Sequence, residues 1–459
     1  MAFATRLLAL CALVELCSGA ARAEPLAPFL DRMRAANAGA SGHRRSVSQV
    51  AVDGRSDTRT TDTEGLRFFT RQCNERICSG IYFDGRRLFS VNINDTALPQ
   101  SHDVDRYLRG VRTITSLAFL APSFARDGGR VVDEGVVTDG GSRYRELFVA
   151  NLEATPMHVL VDPATAIIAR VRDDDGKPVP YRAANHWATI AGPLGAPTGV
   201  GLSIIPGAPL MPLDSAEGSP VGPCIIAGVA ARCMIDTGNS GLSMSLELAE
   251  RLGLDPIGAY DIRGLGSLTA EVVRAGPLLI ANARFEDANY VVLPNISRYG
   301  YDLILGADAL AASTVEIDGP GRRLWFGASP PAGAATIPIT FENFVPVVDV
   351  HLGDVLAPLA IDTGDESNIN LANVFYRQHA DLFTATEAQR VTGIGDTSVE
   401  LVGKISQVDI GPFRLTAQRI GTTESLQGTA SGHLGASFFR NFTVVLNYAD
   451  GTVALLPHK

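Results

Sequence analysis

The tripeptide Asp-Thr-Gly occurs twice in this chain, and each copy follows an apolar run. The first copy lies in CMIDTGNSGLS at 233–243, and the second lies in LAIDTGDESNI at 359–369. Short apolar runs bounded by turn residues predict buried strands. A carboxylate at the end of such a strand is costly unless it has a partner. The repeated pattern therefore predicts that Asp236 and Asp362 face each other.

Further landmarks repeat in the same order within the C-terminal part of the chain. RGLGS at 263–267 corresponds to TGIGD at 392–396, and LGADALAASTVEID corresponds to the later LGASFFRNFTVVLN. Self-similarity in a fixed order is typical of a duplicated structural unit. We therefore predict two homologous lobes joined by the Gly- and Pro-rich GASPPAGAAT. Their predicted bounds are 196–331 for the first repeat and 332–459 for the second repeat.

A pair of facing carboxylates supports a specific chemistry. Two carboxylates about 3 Å apart cannot both ionise, so they share one proton. The ionised member can take a proton from a water molecule while the protonated member donates to a substrate carbonyl oxygen. A glycine after the threonine permits close backbone approach, and a threonine hydroxyl can both donate and accept. The residues predicted to support the pair are Thr237, Gly238, Thr363 and Gly364.

Residues 196–459 resemble the aspartic protease superfamily of pepsin and retropepsin. The resemblance rests on the two apolar Asp-Thr-Gly motifs and on Ile304-Leu305-Gly306, an apolar-apolar-Gly motif. The short lobes are similar to a retropepsin duplicated within one chain. The resemblance implies a mainly β, bilobal fold and an aspartic endopeptidase whose catalytic residues are Asp236 and Asp362. It implies a peptide or protein substrate, and the water and the carboxylate pair suffice without a metal or organic cofactor.

The same resemblance implies a flexible hairpin over the cleft in each lobe. GLGS and GIGD occupy the matching places, and the flap candidates are Gly264, Gly266, Gly393 and Gly395. Neither segment carries the tyrosine that is usual in pepsin-like flaps, so substrate clamping must differ.

Three positions depart from the family pattern. Asn239 and Asp365 follow the Asp-Thr-Gly motifs where Ser, Thr or Ala is usual, and His433 stands where an apolar residue is expected. Asp365 would add a third negative charge near the pair and would raise its pKa or impair it. His433 is either a partly exposed loop residue or a group that tunes the pair. A catalytically degenerate peptide- or protein-binding module of the exported envelope is therefore the alternative function.

Residues 24–195 have a different character and predict an additional α+β domain. Two helical patterns, PLAPFLDRMRAANA and DVDRYLRGVRTITSLAFLAP, flank alternating runs typical of a curved antiparallel sheet packed on helices. The segment VLVDPATAIIARV vaguely resembles the lipoprotein-carrier half-barrel family. This domain is either a pro-segment that masks the cleft or a module that binds a lipid or protein partner. A pro-segment predicts cleavage in the linker near 190–215.

The N-terminal sequence and the cysteines predict an exported protein, periplasmic or secreted. Residues 1–23 combine Arg6, an apolar stretch and Ala21-Arg22-Ala23, which is typical of a cleaved signal peptide. Beyond them, no stretch reaches the length of a membrane span. The remaining cysteines form two local pairs, Cys73/Cys78 and Cys224/Cys233, which favours disulfides over free thiols. PCIIAGVAARC predicts a hairpin turning about Gly228 and Val229, with the second pair directly opposite.

Charge and motifs exclude several other function classes. The net charge of −10 disfavours a nucleic-acid partner. The eight histidines are scattered without zinc-site spacing, and G-x-S-x-G is absent from the sequence. We therefore predict neither a metal enzyme nor a serine hydrolase.

Overall fold

The computed structural model describes most of the chain between Glu24 and His458, with short gaps. The described ranges are 24–36, 43–52, 55–64, 67–74, 76–100, 102–115, 117–121, 123–126, 128–152, 154–179, 188–214, 218–263, 267–319, 321–392, 397–423, 430–440 and 442–458. The predicted signal peptide therefore lies outside the described residues.

The described residues up to 189 are helical at two places and otherwise form strands and turns. The elements are α1 (Leu26–Ala36), β1 (Arg44–Val52), β2 (Arg55–Glu64), β3 (Arg67–Asn74), β4 (Ile77–Phe83), β5 (Leu88–Val91), β6 (Ala97–Pro99), α2 (His102–Thr115), β7 (Arg130–Asp139), β8 (Ser142–Asn151), β9 (Ala154–Val161), β10 (Ile168–Asp173), β11 (Pro178–Val179) and β12 (Ala188–Thr189). A 3₁₀ turn at Ala118–Leu120 follows α2. Both predicted helical patterns in this region therefore form helices.

The first repeat consists of short strands and two one- to two-turn helices. Its elements are β13 (Leu202–Ile204), β14 (Met211–Pro212), β15 (Val221–Ile226), β16 (Val229–Ile235), β17 (Leu242–Ser245), α3 (Leu246–Arg251), β18 (Pro256–Arg263), β19 (Ser267–Ala275), β20 (Leu278–Ile280), β21 (Ala283–Phe285), β22 (Ala288–Leu293), β23 (Leu303–Leu305), α4 (Ala307–Ala312), β24 (Val315–Asp318) and β25 (Arg323–Phe326). A 3₁₀ turn at Ile296–Tyr299 precedes β23.

The second repeat follows the same order of elements from its first long hairpin onward. Its elements are β26 (Ala335–Pro338), β27 (Thr340–Glu342), β28 (Val345–Leu352), β29 (Val355–Asp362), β30 (Ile369–Ala372), α5 (Asn373–Gln378), β31 (Phe383–Thr392), β32 (Thr397–Ile410), β33 (Phe413–Thr423), β34 (Gly432–Gly435), α6 (Ala436–Phe439), β35 (Phe442–Asn447) and β36 (Thr452–Pro457). The chain is mainly β, as the sequence predicts.

The described residues divide into two compact units that do not follow the predicted domain bounds. The small unit takes the described parts of Met1–Ser41 and Arg106–His186, and the large unit takes those of Gly42–Asp105 and Trp187–Lys459. The range 24–195, predicted as one domain, is thus shared between them. Within the large unit, Ile77 of β4 and Ile93 after β5 pack with residues of the first repeat such as Met234 and Ile304.

The small unit is a sheet with an apolar face covered by helices. Its strands lie in the order β11-β10-β9-β8-β7, all antiparallel. Phe29 and Met33 of α1 and Ile114 of α2 pack on Leu147 and Val159 of the sheet. Alternating apolar residues on strands and an apolar stripe on each helix account for this layer.

The described residues of the large unit form four sheets. Residues 44–99 with β12 form the order β12-β1-β2-β3-β4-β5-β6. The first repeat forms β13-β21-β20-β15-β16-β23-β17-β22-β19-β18, and the second repeat forms β27-β28-β29-β34-β30-β33-β32-β31. Strands of both repeats share the sheet β14-β25-β24-β35-β36-β26, so one continuous apolar core runs through the two repeats.

Both predicted disulfides are present, but one register prediction is wrong. Cys73 and Cys78 are direct partners on β3 and β4. Cys224 instead pairs with Ala231, and Cys233 pairs with Gly222, because Ala227 and Gly228 form the turn at positive φ. The Cys224–Cys233 bond therefore joins a diagonal pair whose Cα atoms are 5.9 Å apart, within the usual range.

Among the described residues, no helix is long and apolar enough to cross a membrane.

Candidate active site

The two Asp-Thr-Gly segments stand at equivalent strand ends in the two repeats. Asp236 follows β16, and Asp362 ends β29. Each of these strands has a parallel neighbour that carries the later Leu-Gly motif, β23 beside β16 and β34 beside β29. The neighbour fixes the strand end, since the amide of Asp236 donates to the carbonyl of Leu305 at 3.0 Å. The repeat seen in sequence is thus a repeat in strand pairing.

A glycine in each Leu-Gly motif lets the neighbouring chain pass close beneath the Asp-Thr-Gly loop. A Cβ at Gly306 would collide with the carbonyl of Asn239, and one at Gly435 would lie 2.7 Å from the carbonyl oxygen of Asp365. The following amides use this proximity: that of Ala307 donates to Asn239 at 2.9 Å, and the equivalent amide in the second repeat donates to Asp365 at 2.7 Å. These glycines therefore hold the loops from below.

Two buried threonines tie the loops to each other. The hydroxyl of Thr237 accepts from the amide of Thr363 at 2.9 Å and donates to the carbonyl of Ile361 at 2.6 Å. The hydroxyl of Thr363 accepts from the amide of Thr237 at 3.1 Å and donates to the carbonyl of Ile235 at 2.9 Å. Each hydroxyl uses both of its hydrogen-bonding roles, so the two loops have a fixed separation.

The two carboxylates face each other across the glycines of these loops. The amide of Gly238 donates to Asp236 Oδ1 at 2.8 Å, and the amide of Gly364 donates to Asp362 Oδ1 at 3.1 Å. A Cβ at Gly238 would lie 2.5 Å from Asp362 Oδ1, and a Cβ at Gly364 would lie 2.5 Å from Asp236 Oδ1. Only glycine fits at either position, and the structure brings together all six residues predicted at this site.

Burial and mutual repulsion act on the charge of the pair. Burial raises the pKa of the Asp236 carboxyl well above its usual range, and the negative charge of Asp362 raises it further. The amides of Gly238 and Gly364 oppose this shift in part. A pair of this kind holds one proton at a pH where isolated carboxyls would both be ionised. It offers one proton donor and one proton acceptor within a single site.

Asp365 does not act as an unbalanced third negative charge, contrary to the expectation from sequence. His433 lies on β34, is only 9% exposed and forms an ion pair with the Asp365 carboxylate through Nε2. The Ser367 amide and hydroxyl also donate to this carboxylate, at 2.8 and 2.7 Å. His433 is therefore a buried strand residue and not a partly exposed loop residue. The two departures from the family pattern compensate each other.

The pKa values of this ion pair move in opposite directions. Burial alone would raise the pKa of Asp365, but the hydrogen bond and charge of His433, with the Ser367 donors, lower it to about 2. Burial alone would lower the pKa of His433, but Asp365, then Asp362 and Glu400, raise it above its usual value. Both partners are thus charged in acidic solution above about pH 4.

The first repeat satisfies the equivalent positions without charge. Asn239 stands where the second repeat has Asp365, and its amide group donates to the Ser243 hydroxyl at 3.2 Å. Ile304, at the position equivalent to His433, pairs with Ser243 in the strand register, as His433 pairs with Asn370. The first repeat thus has an uncharged pair of residues, Asn239 and Ile304, at the positions where the second repeat has the ion pair of Asp365 and His433.

Two tyrosines near the carboxylates were not found by sequence reasoning, which looked for a tyrosine only in the flaps. Tyr301 precedes β23, and burial, followed by the charge of Asp236, raises its pKa to about 12. It stacks on Tyr299 with ring centroids 6.2 Å apart. Tyr448 is 2% exposed, and burial and then the charges of both aspartates raise its pKa. A tyrosine shortly before the Leu-Gly motif was the available signal for Tyr301.

The four flap-candidate glycines lie outside the described residues. The strands that flank them, β18 with β19 and β31 with β32, are described and pair as antiparallel hairpins.

Among the described residues, one group has donor atoms placed as metal ligands could be. His158 Nδ1 lies 3.1 Å from Glu134 Oε2 and 3.1 Å from Glu146 Oε1, on adjacent strands of the small unit. A histidine that hydrogen-bonds to two carboxylates accounts for the same geometry, so this group carries no functional assignment.

Comparison with known proteins supports the same region of the chain. Residues 222–309, which include Asp236 and the Leu-Gly motif of the first repeat, match the protein family described as aspartyl protease. No curated protein matches the chain. The match supports an aspartyl protease-like domain with a possible hydrolase function.

Proposed function

We propose that this protein is an aspartic endopeptidase with a bilobal, pepsin- and retropepsin-like arrangement, in which Asp236 and Asp362 act on one water molecule. The observation that carries the proposal is the reciprocal hydrogen bonding of Thr237 and Thr363, which joins the Asp-Thr-Gly loops of the two repeats. The family match to the first repeat supports it independently. The substrate class is a peptide or protein, and the reaction needs no metal or organic cofactor.

The reaction follows from the shared proton. The ionised carboxylate takes a proton from the water while the water oxygen bonds to the scissile carbonyl carbon. The other carboxyl gives its proton to the carbonyl oxygen, which forms a neutral tetrahedral diol. The carboxyl that now holds the proton of the water gives it to the amide nitrogen, while the other carboxylate takes a proton from a diol hydroxyl. The carbon–nitrogen bond breaks to give a carboxylic acid and an amine, and the pair again holds one proton. The fixed loops orient the carboxylates beforehand, which is the main contribution of the protein.

The paired charges of Asp365 and His433 favour catalysis over the degenerate binding module. An unpaired third carboxylate would disfavour ionisation of the pair. The ion pair of Asp365 and His433 has no net charge, so it does not repel the single negative charge that Asp236 and Asp362 share.

We further propose that the protein is exported and acts in the periplasm or outside the cell. The two disulfides support this, because such bonds persist in oxidising compartments. N-terminal sequencing of the exported protein should give a mature chain that starts near Glu24.

The test is cleavage of a mixed peptide library between about pH 3 and 7, a range that spans the titration of coupled carboxyls. Asp236→Asn and Asp362→Asn should each abolish cleavage while the protein stays folded, because each leaves the site without one of its two proton-transfer groups. Asp354→Asn, at an exposed turn of the second repeat, is the matched control and should retain full activity. Residual cleavage by the double variant would point to another catalytic centre. A folded wild-type protein that cuts nothing but binds peptides would establish the binding module instead.

A further inference from the structure

A loop from the sheet of residues 44–99 reaches the first repeat beside its Asp-Thr-Gly segment. Asn92, which directly follows β5, donates from Nδ2 to the carbonyl of Ser240 at 2.8 Å and to Asp308 Oδ1 at 2.7 Å. Its Oδ1 accepts from the amides of Asn94 and Thr96, at 3.0 and 3.2 Å. All hydrogen-bonding capacity of this buried side chain is directed to specific partners.

The acceptor in this contact is a buried carboxylate. Asp308 is 1% exposed and lies in the first turn of α4, two residues after Gly306. Asn92 donates to one of its oxygens, and Asn94 Nδ2 donates to the other at 2.6 Å. Burial raises the pKa of Asp308, and Thr96, Asn92 and Asn94 oppose the shift. A buried carboxylate needs such donors, so the loop and Asp308 depend on each other.

Asn94 adds a reciprocal contact with the strand next to β17. Its Nδ2 donates to the carbonyl of Asn289 at 2.8 Å, and its Oδ1 accepts from the amide of Asn289 at 2.7 Å. The Asn289 side chain donates back to the carbonyl of Ile93 at 2.8 Å. The loop therefore continues the hydrogen bonding of β22, as a strand would.

Apolar residues pack around the hydrogen bonds of Asn92 and Asn94. Ile93 and Ile77, both buried, pack with Met234 and Ile304. Met234 lies on β16, whose end carries Asp236, and Ile304 lies on the strand beneath it. The loop residue Ile93 and Ile77 of β4 thus share an apolar cluster with the two strands that position the first Asp-Thr-Gly segment.

The linker near 190–215, predicted as a cleavage site, is hydrogen-bonded to the sheet of residues 44–99 and to the loop after β5. The amides of Thr198 and Gly199 donate to Asp95, at 2.9 Å each, and that of Leu194 donates to Glu64 at 3.2 Å. Backbone held by such bonds is a poor protease site, because cleavage requires local unfolding.

From these contacts we infer that Asn92 is a positioning residue for the first Asp-Thr-Gly loop. We also infer that residues 43–100 stay bound to the two repeats in the active protein and are not removed. The inference rests on the proposed peptidase function for its kinetic consequence, but its structural part does not. Ser240 lies four residues after Asp236, at the C-terminal end of the Asp-Thr-Gly loop. The hydrogen bond from Asn92 to its carbonyl therefore fixes the position of that end of the loop. A removable pro-segment would not supply a buried amide to the active loop.

The kinetic test uses Asn92→Ala in the full chain. We expect kcat to fall about tenfold with KM changed less than about twofold, because misplacement of a catalytic loop acts on the reacting geometry. The matched control is Asn282→Ala. Asn282 also bridges two segments of the first repeat, through donation to the carbonyl of Phe326 and acceptance from its amide, both at 2.8 Å, but it does not contact the loop. The control should lose stability without the kcat effect. Equal kcat values for both variants would overturn the inference.

A double variant separates loop positioning from stability. In Asn92→Asp/Asp308→Asn, donor and acceptor exchange places, so the 92–308 hydrogen bond is retained, and Asn94 can still donate to the new amide oxygen. The carbonyl of Ser240 has no donor from position 92 in this variant. We expect the midpoint of unfolding to approach the wild-type value while kcat stays low. Recovery of kcat together with stability would show that Asn92 serves only the fold.

A measurement without substrate distinguishes failure of this inference from failure of the proposed function. Hydrogen exchange of the peptide amides at 239–243 should be at least about tenfold faster in Asn92→Ala than in Asn282→Ala, because the loop loses a fixed contact. If the wild-type protein has no peptidase activity, this difference still tests the positioning role. Identical exchange in the two variants would refute it.

Discussion

Replacement of His433 by isoleucine should expose how strongly the second repeat depends on its buried ion pair. Isoleucine is the residue at the equivalent position of the first repeat, Ile304, so the side chain suits this strand. The change leaves the Asp365 carboxylate without its cation, while the Ser367 donors remain. Burial then acts on Asp365 with less opposition, and its pKa must rise.

The magnitude follows from the pKa of Asp365. A pKa of about 2 in the folded protein, against an ordinary 3.8, corresponds to roughly 2 kcal/mol of folding free energy, because a pKa difference of one is worth about 1.36 kcal/mol. The raised pKa of His433 reports the same interaction and is not added to it. Loss of one partner of a buried pair can cost more, about 3–5 kcal/mol, when the remaining charge is fully buried. Asp365 is 26% exposed in its side chain, so the lower figure applies.

The pH dependence has a definite sign. The lowered pKa of Asp365 gives stability that is present above about pH 4 and is lost as the pH falls towards 2. The raised pKa of His433 gives stability that is present below about pH 6.5 and is lost as the pH rises through its folded-state value. The deficit of His433→Ile should therefore be largest between about pH 4 and 6.5.

Urea unfolding at several pH values measures this deficit directly. The double variant Asp365→Asn/His433→Ile has the uncharged residue types of the first repeat, Asn239 and Ile304. It should recover most of the free energy of unfolding that the single variant loses. His351→Ile, at an exposed strand position, is the matched control and should change stability by less than about 0.5 kcal/mol. A deficit that is the same at pH 3 as at pH 5.5, or a double variant no better than the single one, would refute the electrostatic account.

Three further predictions concern the site and its support. Thr363→Val removes one donor and one acceptor from buried partners and should cost about 2–4 kcal/mol in urea unfolding, whereas Thr363→Ser should cost much less. Gly364→Ala places a Cβ 2.5 Å from Asp236 Oδ1 and should abolish peptide cleavage, whereas Gly195→Ala, where a Cβ meets nothing within 4 Å, should not. Removal of residues 24–100 should give an aggregated chain by size-exclusion chromatography, because Asp308 loses its donors; a soluble, active product would favour the pro-segment interpretation.

The sequence alone was sufficient for the elements that repeat or act locally. The mainly β class and the two disulfides are confirmed by the structure. The pairing of Cys73 with Cys78 is local to one hairpin, so spacing identified it. The register of Cys224 against Cys233 failed because the turn centre depends on which residues adopt positive φ, and Ala227 is not a residue type that indicates it.

Long-range polar contacts were beyond prediction from a single sequence. Asp365 and His433 are far apart in the chain, and each alone reads as a departure from a pattern rather than as half of a pair. The loop VNINDT has the composition of an ordinary turn, and nothing in its periodicity indicates that Asn92 would bond to Asp308. Such contacts depend on how sheets pack, which local propensity does not encode.

The difference between the two repeats also bears on where the shared proton lies. The charge of Asp362 is among the groups that raise the pKa of His433, and electrostatic attraction is mutual. The first repeat has the neutral Asn239 where the second has Asp365. The His433 cation therefore lies where it can stabilise the negative charge of the pair. Burial raises the pKa of Asp236, so we expect the shared proton on Asp236. Asp362 would then accept the proton of the water. Loss of that cation in His433→Ile should make ionisation of the pair harder, so the acid limb of the kcat/KM profile should move to higher pH; an unmoved limb would mean that the ion pair stabilises the fold without acting on the pair.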